Sequence, residues 1–341
     1  MDWPGLWDSP ALADRLKRAA LLPASHIYAL GWRVYLAWYE LGFRRPHRAP
    51  MPIICVGGIV VGGTGKTPVT VAIAHLLQRA GLRVAISCSG YGGACEFSEV
   101  PPCSEVAPHL VGDEALLLRE ALPEAPLFVG RDRVRMAKTV AERPDVDVIL
   151  MDDGFQHLRL ARTLDLVVLD GTRPFGNGRC LPAGPLREPK KCLRRASALI
   201  IVGDRTPEEL PTLPAFYATR RPMELRSLDG TQRRGLATLR GEKVLAVSGI
   251  GNPERFEQSL RELGASVISL RFGDHHDYVN ADLKRLADTT AVTTEKDAVK
   301  LRTLSPELTV WVLREDVSFA DERALQEYLL TAVRSDHSAA K

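Results

Sequence analysis

From residue 52 onward, short runs of β-branched and aliphatic residues alternate with stretches whose apolar positions recur every three to four residues. That alternation predicts a parallel sheet with crossover helices. It places strands at 52–56, 83–88, 126–129, 146–151, 165–169 and 198–202, and helices at 67–80, 113–121 and 131–142. The first helix is closed by Gly81. A second α/β stretch begins near Lys243, with strands at 244–248, 266–270, 291–293 and 309–313 and helices at 253–263, 281–287 and 322–333. The Pro- and Arg-rich segment 205–240 reads as the connection between them. The fold class expected is therefore α/β: a parallel-sheet domain at 51–204, a second, smaller α/β domain at 241–335, and a helical segment at 1–50.

The amino-terminal segment has a different pattern. Residues 27–43 are its most apolar stretch, yet Arg33 and Glu40 interrupt it and it falls short of a membrane span. No basic region precedes an apolar core, so no signal peptide is expected. Residues 1–50 hold four of the five Trp and an excess of seven basic over four acidic residues, which accounts for the whole net charge of +3. Trp and Tyr favour the bilayer interface, and Arg15, Lys17, Arg18, Arg44, Arg45 and Arg48 would be drawn to anionic headgroups. Residues 11–46 are read as a helical hairpin or helix pair on or in a membrane surface, with packing against the domain as the competing reading. The remaining 291 residues are electrically neutral, which gives no basis for nucleic-acid binding. The six Cys (Cys55, Cys88, Cys95, Cys103, Cys180, Cys192) form no CxxC pair, as expected in a reducing setting.

The strongest local chemistry lies at 53–68, ICVGGIVVGGTGKTP continued from Ile53, a strand entering a Gly-rich turn and then a helix. Gly62, Gly63, Thr64 and Gly65 allow the backbone close to phosphate, Lys66 brings a point charge to the β- and γ-phosphates, and the Thr67 hydroxyl suits Mg2+; Pro68 follows in the first helical turn. This is a Walker A element, although Val60 stands where the full pattern has its first Gly. Its Walker B partner is VDVILMDD at 146–153, which ends in Asp152 and Asp153. Thr294, Glu295, Lys296 and Asp297 do not place a Lys as a guanine-reading motif requires, so ATP is the expected nucleotide.

Beyond these elements the chain resembles the tetraacyldisaccharide 4'-kinase family, the lipid A 4'-kinases of Gram-negative bacteria. The likeness rests on GGTGKTP (62–68), SGYGG (89–93), VGDEALLL (111–118), VGRDR (129–133), DDGFQH (152–157), FGNGRCLPAGPLREP (175–189), SGIGNPERF (248–256), FGDHHDY (272–278) and TTEKDAVKL (293–301). The resemblance implies transfer of the ATP γ-phosphate to the 4'-hydroxyl of a tetraacyldisaccharide 1-phosphate, forming lipid IVA, at the cytoplasmic face of the inner membrane. It implies Asp113 as general base partnered by His275, with His276 as fallback, and Mg2+ held by Thr67, Glu114, Asp152 and Asp153. His157 is read as orienting a neighbour of the acidic pair, Arg131, Arg133 and Arg187 as substrate- or nucleotide-phosphate ligands or surface groups, and Glu295, Lys296 and Asp297 as organising the domain interface or closing on ATP. Two positions depart from the family pattern: Gly58 stands where Asn is usual, and Ser89 where Arg is usual. The missing guanidinium at 89 removes a bidentate phosphate ligand. Two alternatives stand beside the kinase reading: a P-loop ATPase switch without a lipid product and, motivated by Ser89 and Gly58, a catalytically impaired relative. Acyl-chain preference and oligomeric state have no signature in the sequence.

Overall fold

The computed structural model describes residues 3–95, 97–101, 108–203, 205–207, 210–274, 276–283, 290–304 and 309–339. In chain order the elements are α1 (Trp3–Asp8), α2 (Leu12–Glu40), β1 (Ile53–Gly57), α3 (Lys66–Arg79), β2 (Val84–Cys88), β3 (Phe97–Val100), α4 (Pro108–Val111), α5 (Asp113–Ala121), β4 (Leu127–Gly130), α6 (Arg133–Ala141), β5 (Val148–Asp152), β6 (Leu164–Asp170) and β7 (Ala198–Val202). Then follow β8 (Ala215–Ser227), β9 (Arg233–Arg234), β10 (Lys243–Ser248), α7 (Pro253–Glu262), β11 (Ser266–Arg271), α8 (Asn280–Leu283), β12 (Ala291–Thr294), α9 (Glu295–Leu304), β13 (Val310–Phe319) and α10 (Glu322–Ala339). The rest of the helix expected at 281–287 falls outside the described residues.

The strands form one mixed sheet in the order β11-β10-β12-β13-β8-β7-β6-β1-β5-β2-β4-β3, with β9 beside β8. All neighbours are parallel except β13 with β8, β3 with β4, and β9 with β8. Every residue of β1, β2, β4, β5 and β7 is buried, as parallel strands covered by helices on both faces must be. β1 lies between β5 and β6, where the chain order reverses, so the loop after it opens into the crevice in which open α/β sheets bind ligands.

Three regions differ from the sequence pattern. Residues 205–240 contain β8, a 13-residue strand that joins the two α/β stretches into one sheet. Its alternation is masked by Arg220, Arg221 and Pro222, and the pairing with β13 shifts register between Arg314 and Glu315, opposite Pro222. Helix α10 follows the second stretch in sequence but packs on α3, where Leu325, Leu329 and Val333 join the core cluster containing Ile54, Val69 and Leu77. Gln326 Nε2 donates to the Leu76 carbonyl at 3.0 Å and Tyr328 Oη to that of Ser197 at 2.9 Å.

The third difference is at the amino terminus, where residues 12–40 form one 29-residue helix rather than a hairpin. At 1.5 Å per residue it is about 43 Å long. The segment between its ends has no turn signal beyond Pro23, which a helix tolerates when packing holds it. Trp7 Nε1 donates to the Pro182 carbonyl at 2.9 Å, Ser25 Oγ to that of Cys180 at 2.7 Å and Tyr28 Oη to that of Arg187 at 2.7 Å. These contacts seat α1 and α2 on the 175–187 loop. Ile27, Leu30, Val34 and Trp38 remain exposed at helical spacing, followed by exposed Leu41 and Phe43. No helix among the described residues is long and apolar enough to cross a membrane.

Candidate active site

The Gly-rich turn between β1 and α3 is built by backbone geometry. Gly62 and Gly65 adopt positive φ (104° and 82°), and Gly65 caps α3. The amide groups of the first α3 turn therefore face the crevice, and Lys66 and Thr67 are its first two residues. A Cβ on Gly58 would lie 3.3 Å from Lys66 Cδ, so the glycine at this position leaves room for the lysine stem.

Opposite the turn, β5 delivers two carboxylates with different partners. Asp152 accepts from Thr67 Oγ1 at 3.0 Å and Thr70 Oγ1 at 2.7 Å, and its carbonyl takes Arg133 Nη2 at 3.1 Å. Burial pushes its pKa up to about 7, the neighbouring Glu114 adds to this, and the two threonine bonds oppose it. Asp153 is held by Arg187 Nη1 at 2.8 and 2.9 Å and by Lys66 Nζ at 3.7 Å. Burial raises its pKa, but the Lys66 and Arg187 charges outweigh that and leave it below the ordinary value. Its φ of 51° makes it the non-glycine residue with a left-handed backbone among the described residues, local strain placed at the site. Glu114, buried near Asp153, is raised by desolvation and then by that negative charge.

The SGYGG and VGDEALLL blocks prove to be one packed unit. A Cβ on Gly112 would meet the Tyr91 carbonyl oxygen at 2.5 Å, and one on Gly93 the Leu110 oxygen at 2.6 Å. This contact fixes the start of α5, and with it Asp113, which is 3% exposed. Asp113 Oδ1 accepts from the Glu114 amide at 3.1 Å, and Lys300 Nζ of α9 lies 3.3 Å from Oδ2. His275 lies outside the described residues. His276 stacks on Phe272 and its Nε2 is 3.0 Å from Asp282 Oδ2, which directs the ring toward Asp282.

The second α/β stretch caps the phosphate turn. A Cβ on Gly251 would be 3.3 Å from both Gly62 Cα and Gly63 N, so the 248–252 loop rests directly on the turn. Behind it, Asp297 anchors α9 by accepting from the Gly249 amide (3.0 Å), Tyr278 Oη (2.9 Å) and Thr294 Oγ1 (2.7 Å). Glu295 pairs with Arg314, and Lys296 Nζ reaches Asp274 Oδ1 at 3.0 Å. Burial disfavours the Lys296 charge, but Asp274 and Asp113 outweigh it and raise its pKa.

These parts enclose a cavity of about 770 Å³. Its wall takes in Gly62–Pro68, Glu114, Asp153, Gln156 and His157 from the first stretch, Ile250–Asn252 and Thr294–Lys296 from the second, and Tyr28 and Trp32 from α2. The same wall carries Ser89 and five arginines, Arg131, Arg133, Arg187, Arg220 and Arg255. Thr64 Oγ1 and His157 Nε2 are buried and have no hydrogen-bond partner among the described residues. Burial, with Arg133 nearby, pulls the His157 pKa down to about 4, so its imidazole is neutral at physiological pH.

Of the residues expected from the sequence, the structure brings the phosphate turn, Glu114 and Asp153 onto the cavity wall, and sets Asp152 behind Thr67 and Asp113 off that wall. The sequence pattern does not single out Thr70, Arg220, Gly251 or Lys300, whose placement depends on tertiary packing, although Gly251 and Lys300 lie within the SGIGNPERF and TTEKDAVKL blocks and Lys300 follows Lys296 by four residues on one helical face.

The family model described as Tetraacyldisaccharide-1-P 4'-kinase matches residues 17–334. The tetraacyldisaccharide 4'-kinase of Chromobacterium violaceum is 42% identical, over 94% of this chain and 95% of its own. That of Syntrophus aciditrophicus is 38% identical, over 87% and 88%. The crystal structure of LpxK from Aquifex aeolicus in complex with ATP superposes with a TM-score of 0.78 at 30% identity, covering 93% of this chain and 99% of that one. With the phosphate turn, the acidic pair and the capping loop all set in this frame, the chain belongs to the tetraacyldisaccharide 4'-kinase family.

Proposed function

We propose that this protein transfers the γ-phosphate of ATP to the 4'-hydroxyl of a tetraacyldisaccharide 1-phosphate, yielding the bis-phosphorylated lipid IVA. The observation that carries this reading is the cavity itself, which runs from the phosphate turn to Tyr28 and Trp32 of the amphipathic helix. A nucleotide at one end and a lipid headgroup entering past α2 at the other would share one chamber. Exposed apolar residues on α2, flanked by Arg15, Arg44 and Arg45, suit shallow docking on an anionic bilayer, at the cytoplasmic face of the inner membrane where ATP is available.

Phosphoryl transfer depends on positioning and charge stabilisation. Lys66 and the amides of residues 63–67 would hold the β- and γ-phosphates, with the Thr64 hydroxyl as a further donor. Asp113 would take the proton of the 4'-hydroxyl as its oxygen attacks the γ-phosphorus and the bond to ADP breaks. Thr67 Oγ1 and the Asp152 carboxylate, with Glu114 and Asp153 near, form an all-oxygen donor set suited to a hard cation. Among the described residues no three His, Cys, Asp or Glu form a closed metal cluster, in keeping with a Mg2+ that takes most of its ligands from phosphate and water. When bound, Mg2+ would neutralise charge building on the phosphate oxygens. Asp152 bonds Thr67 from behind the cavity wall, whereas Asp153, engaged by Lys66 and Arg187, lines the wall together with Glu114 and Thr67. The arginines of the cavity wall, Arg131 among them, would supply positive charge in place of the guanidinium missing at Ser89. The functional division is a phosphate-binding part at 51–204 and a capping part at 241–335, joined through 205–240 and preceded by the interfacial segment 1–50.

The test is a detergent-micelle assay with γ-labelled ATP, Mg2+ and tetraacyldisaccharide 1-phosphate. Label is expected in the lipid with the wild type and to fall by about 10³-fold with Lys66→Ala. Release of inorganic phosphate without labelled lipid would overturn the reading in favour of an ATPase.

A further inference from the structure

The contact between α5 and α9 joins the two α/β stretches beside the site, and it carries two ion pairs. At the site end Lys300 Nζ lies 3.3 Å from Asp113 Oδ2; two turns along α5, Arg302 pairs with Glu120 at the outer rim. The inner pair is shielded, with the Lys300 side chain 12% exposed and that of Asp113 2%, whereas both partners of the outer pair are about one-third exposed. Lys300 Nζ also donates to the His276 carbonyl at 3.2 Å. One ammonium group thus ties the start of α5 to the 272–278 segment of the capping part.

We propose that Lys300 is a positioning residue for phosphoryl transfer, fixing the Asp113 carboxylate in the plane from which it meets the acceptor hydroxyl. The proposal rests on the reading of Asp113 as general base. Each carboxylate oxygen has its own constraint: Oδ1 accepts from the Glu114 amide, and Oδ2 faces Lys300. Losing Lys300 removes the charge that Oδ2 faces, and with it one of the constraints on rotation about χ2. Lys300 is itself held, because Asp297 anchors the first turn of α9 through three hydrogen bonds and Ala298 and Leu301 are buried in the core beneath. The lysine is therefore presented by a rigid helix, which is what a positioning group requires. Its second bond, to the His276 carbonyl, makes base alignment depend on the capping part being seated.

The experiment compares Lys300→Met, Lys300→Arg, Asp113→Ala and the Asp113→Ala/Lys300→Met double variant of the full chain in the micelle assay. Arg302→Ala serves as a control for packing of the same helix pair. Lys300→Met is expected to lower kcat by about 30-fold, within the range for misplacing a reacting group, with KM for ATP changed less than about twofold. Lys300→Arg should restore most of the loss. The double variant should be no slower than Asp113→Ala, because the lysine acts through that carboxylate. Arg302→Ala should keep near wild-type kcat.

Full additivity in the double variant would overturn the proposal, as would an unchanged kcat in Lys300→Met or an equal loss in Arg302→Ala. Should Lys300→Met fail to fold, Lys300→Gln replaces it with the same expectations. If Asp113→Ala retains turnover, the reading of Asp113 itself falls, an outcome separate from a silent lysine beside an essential Asp113.

Discussion

The two α/β stretches of this kinase share one sheet yet differ in how they are covered. In the first, five strands are buried along their whole length and helices line both faces. In the second, β11 is an edge strand with three of its six residues exposed besides its last, and β10 begins exposed. The chemistry follows the same division. The enclosed stretch holds the groups that must not move: the phosphate turn, the acidic pair and the strained Asp153. The more open stretch supplies what rests on them, the 248–252 loop and the lysines of α9. Fully buried and partly exposed packing thus fall in different parts of one continuous sheet.

The same substitution made in each part should therefore fail differently. Gly57 ends β1, and a Cβ there would meet Phe155 Cβ at 2.6 Å and its amide nitrogen at 3.0 Å. Gly57→Val is expected to destabilise the fold by about 3 kcal/mol or more, because backbone must yield in a fully packed region. Thermal unfolding reads this directly, and an unchanged midpoint would remove the distinction drawn here. Gly251→Val places its bulk against Gly62 and Gly63 across the interface, where the nearest contact of the added Cβ is 3.3 Å rather than 2.6 Å. Its expected effect is about a 10²-fold loss in kcat/KM, with thermal stability altered by less than about 1 kcal/mol. Equal losses of stability in both variants would mean that the capping part is as rigid as the part it covers.

How far the sequence revealed this division depends on how local each signal is. The phosphate turn, VDVILMDD and the strand-helix alternation are each contained within a dozen residues, and from β1 to β12 the expected elements among the described residues lie within one or two residues of the observed ones; β13 and α10 run six residues further than expected, and β3 and α9 had no counterpart in the pattern. β8 was hidden because a register shift opposite Pro222 and the Arg220–Arg221 pair erase its period of two. The docking of α10 on α3 joins residues about 250 positions apart, as in the Gln326 to Leu76 bond, and amphipathic periodicity does not say which surface a helix will cover. Lys300 and Asp113 meet for the same non-local reason, although both stand within motifs that the sequence singled out.

A third contrast sets α2 against the helices of the core. Ile27 is 72% exposed, so Ile27→Asp should leave the folded state almost untouched. If this face enters a bilayer, losing one buried Ile side chain weakens binding by roughly 10- to 150-fold, since such burial contributes about 1.5–3 kcal/mol. Sedimentation with vesicles containing anionic phospholipid measures it. Unchanged binding would mean that the apolar face of α2 does not touch the membrane.

The smallest expected effect lies in the capping part and depends on pH. Glu257 on α7 is buried against Arg271, which donates to it at 2.6 and 3.0 Å, and Arg261 adds a bond at 3.0 Å. The Arg271 bonds outweigh burial and pull the Glu257 pKa down to about 2, from an ordinary value of 4.5. Because the folded state holds this proton less tightly than the unfolded chain, the carboxylate stabilises the fold above pH 4.5, and that contribution fades as the pH falls toward 2. Between pH 7 and pH 4 the loss is about 1 kcal/mol. Glu257→Gln should remove this share of the acid sensitivity, measured as the difference in unfolding free energy between the two pH values. An identical acid response in wild type and variant would show that the α7–β11 contact of the capping part is held by its apolar residues, Phe256 and Leu260, rather than by this ion pair.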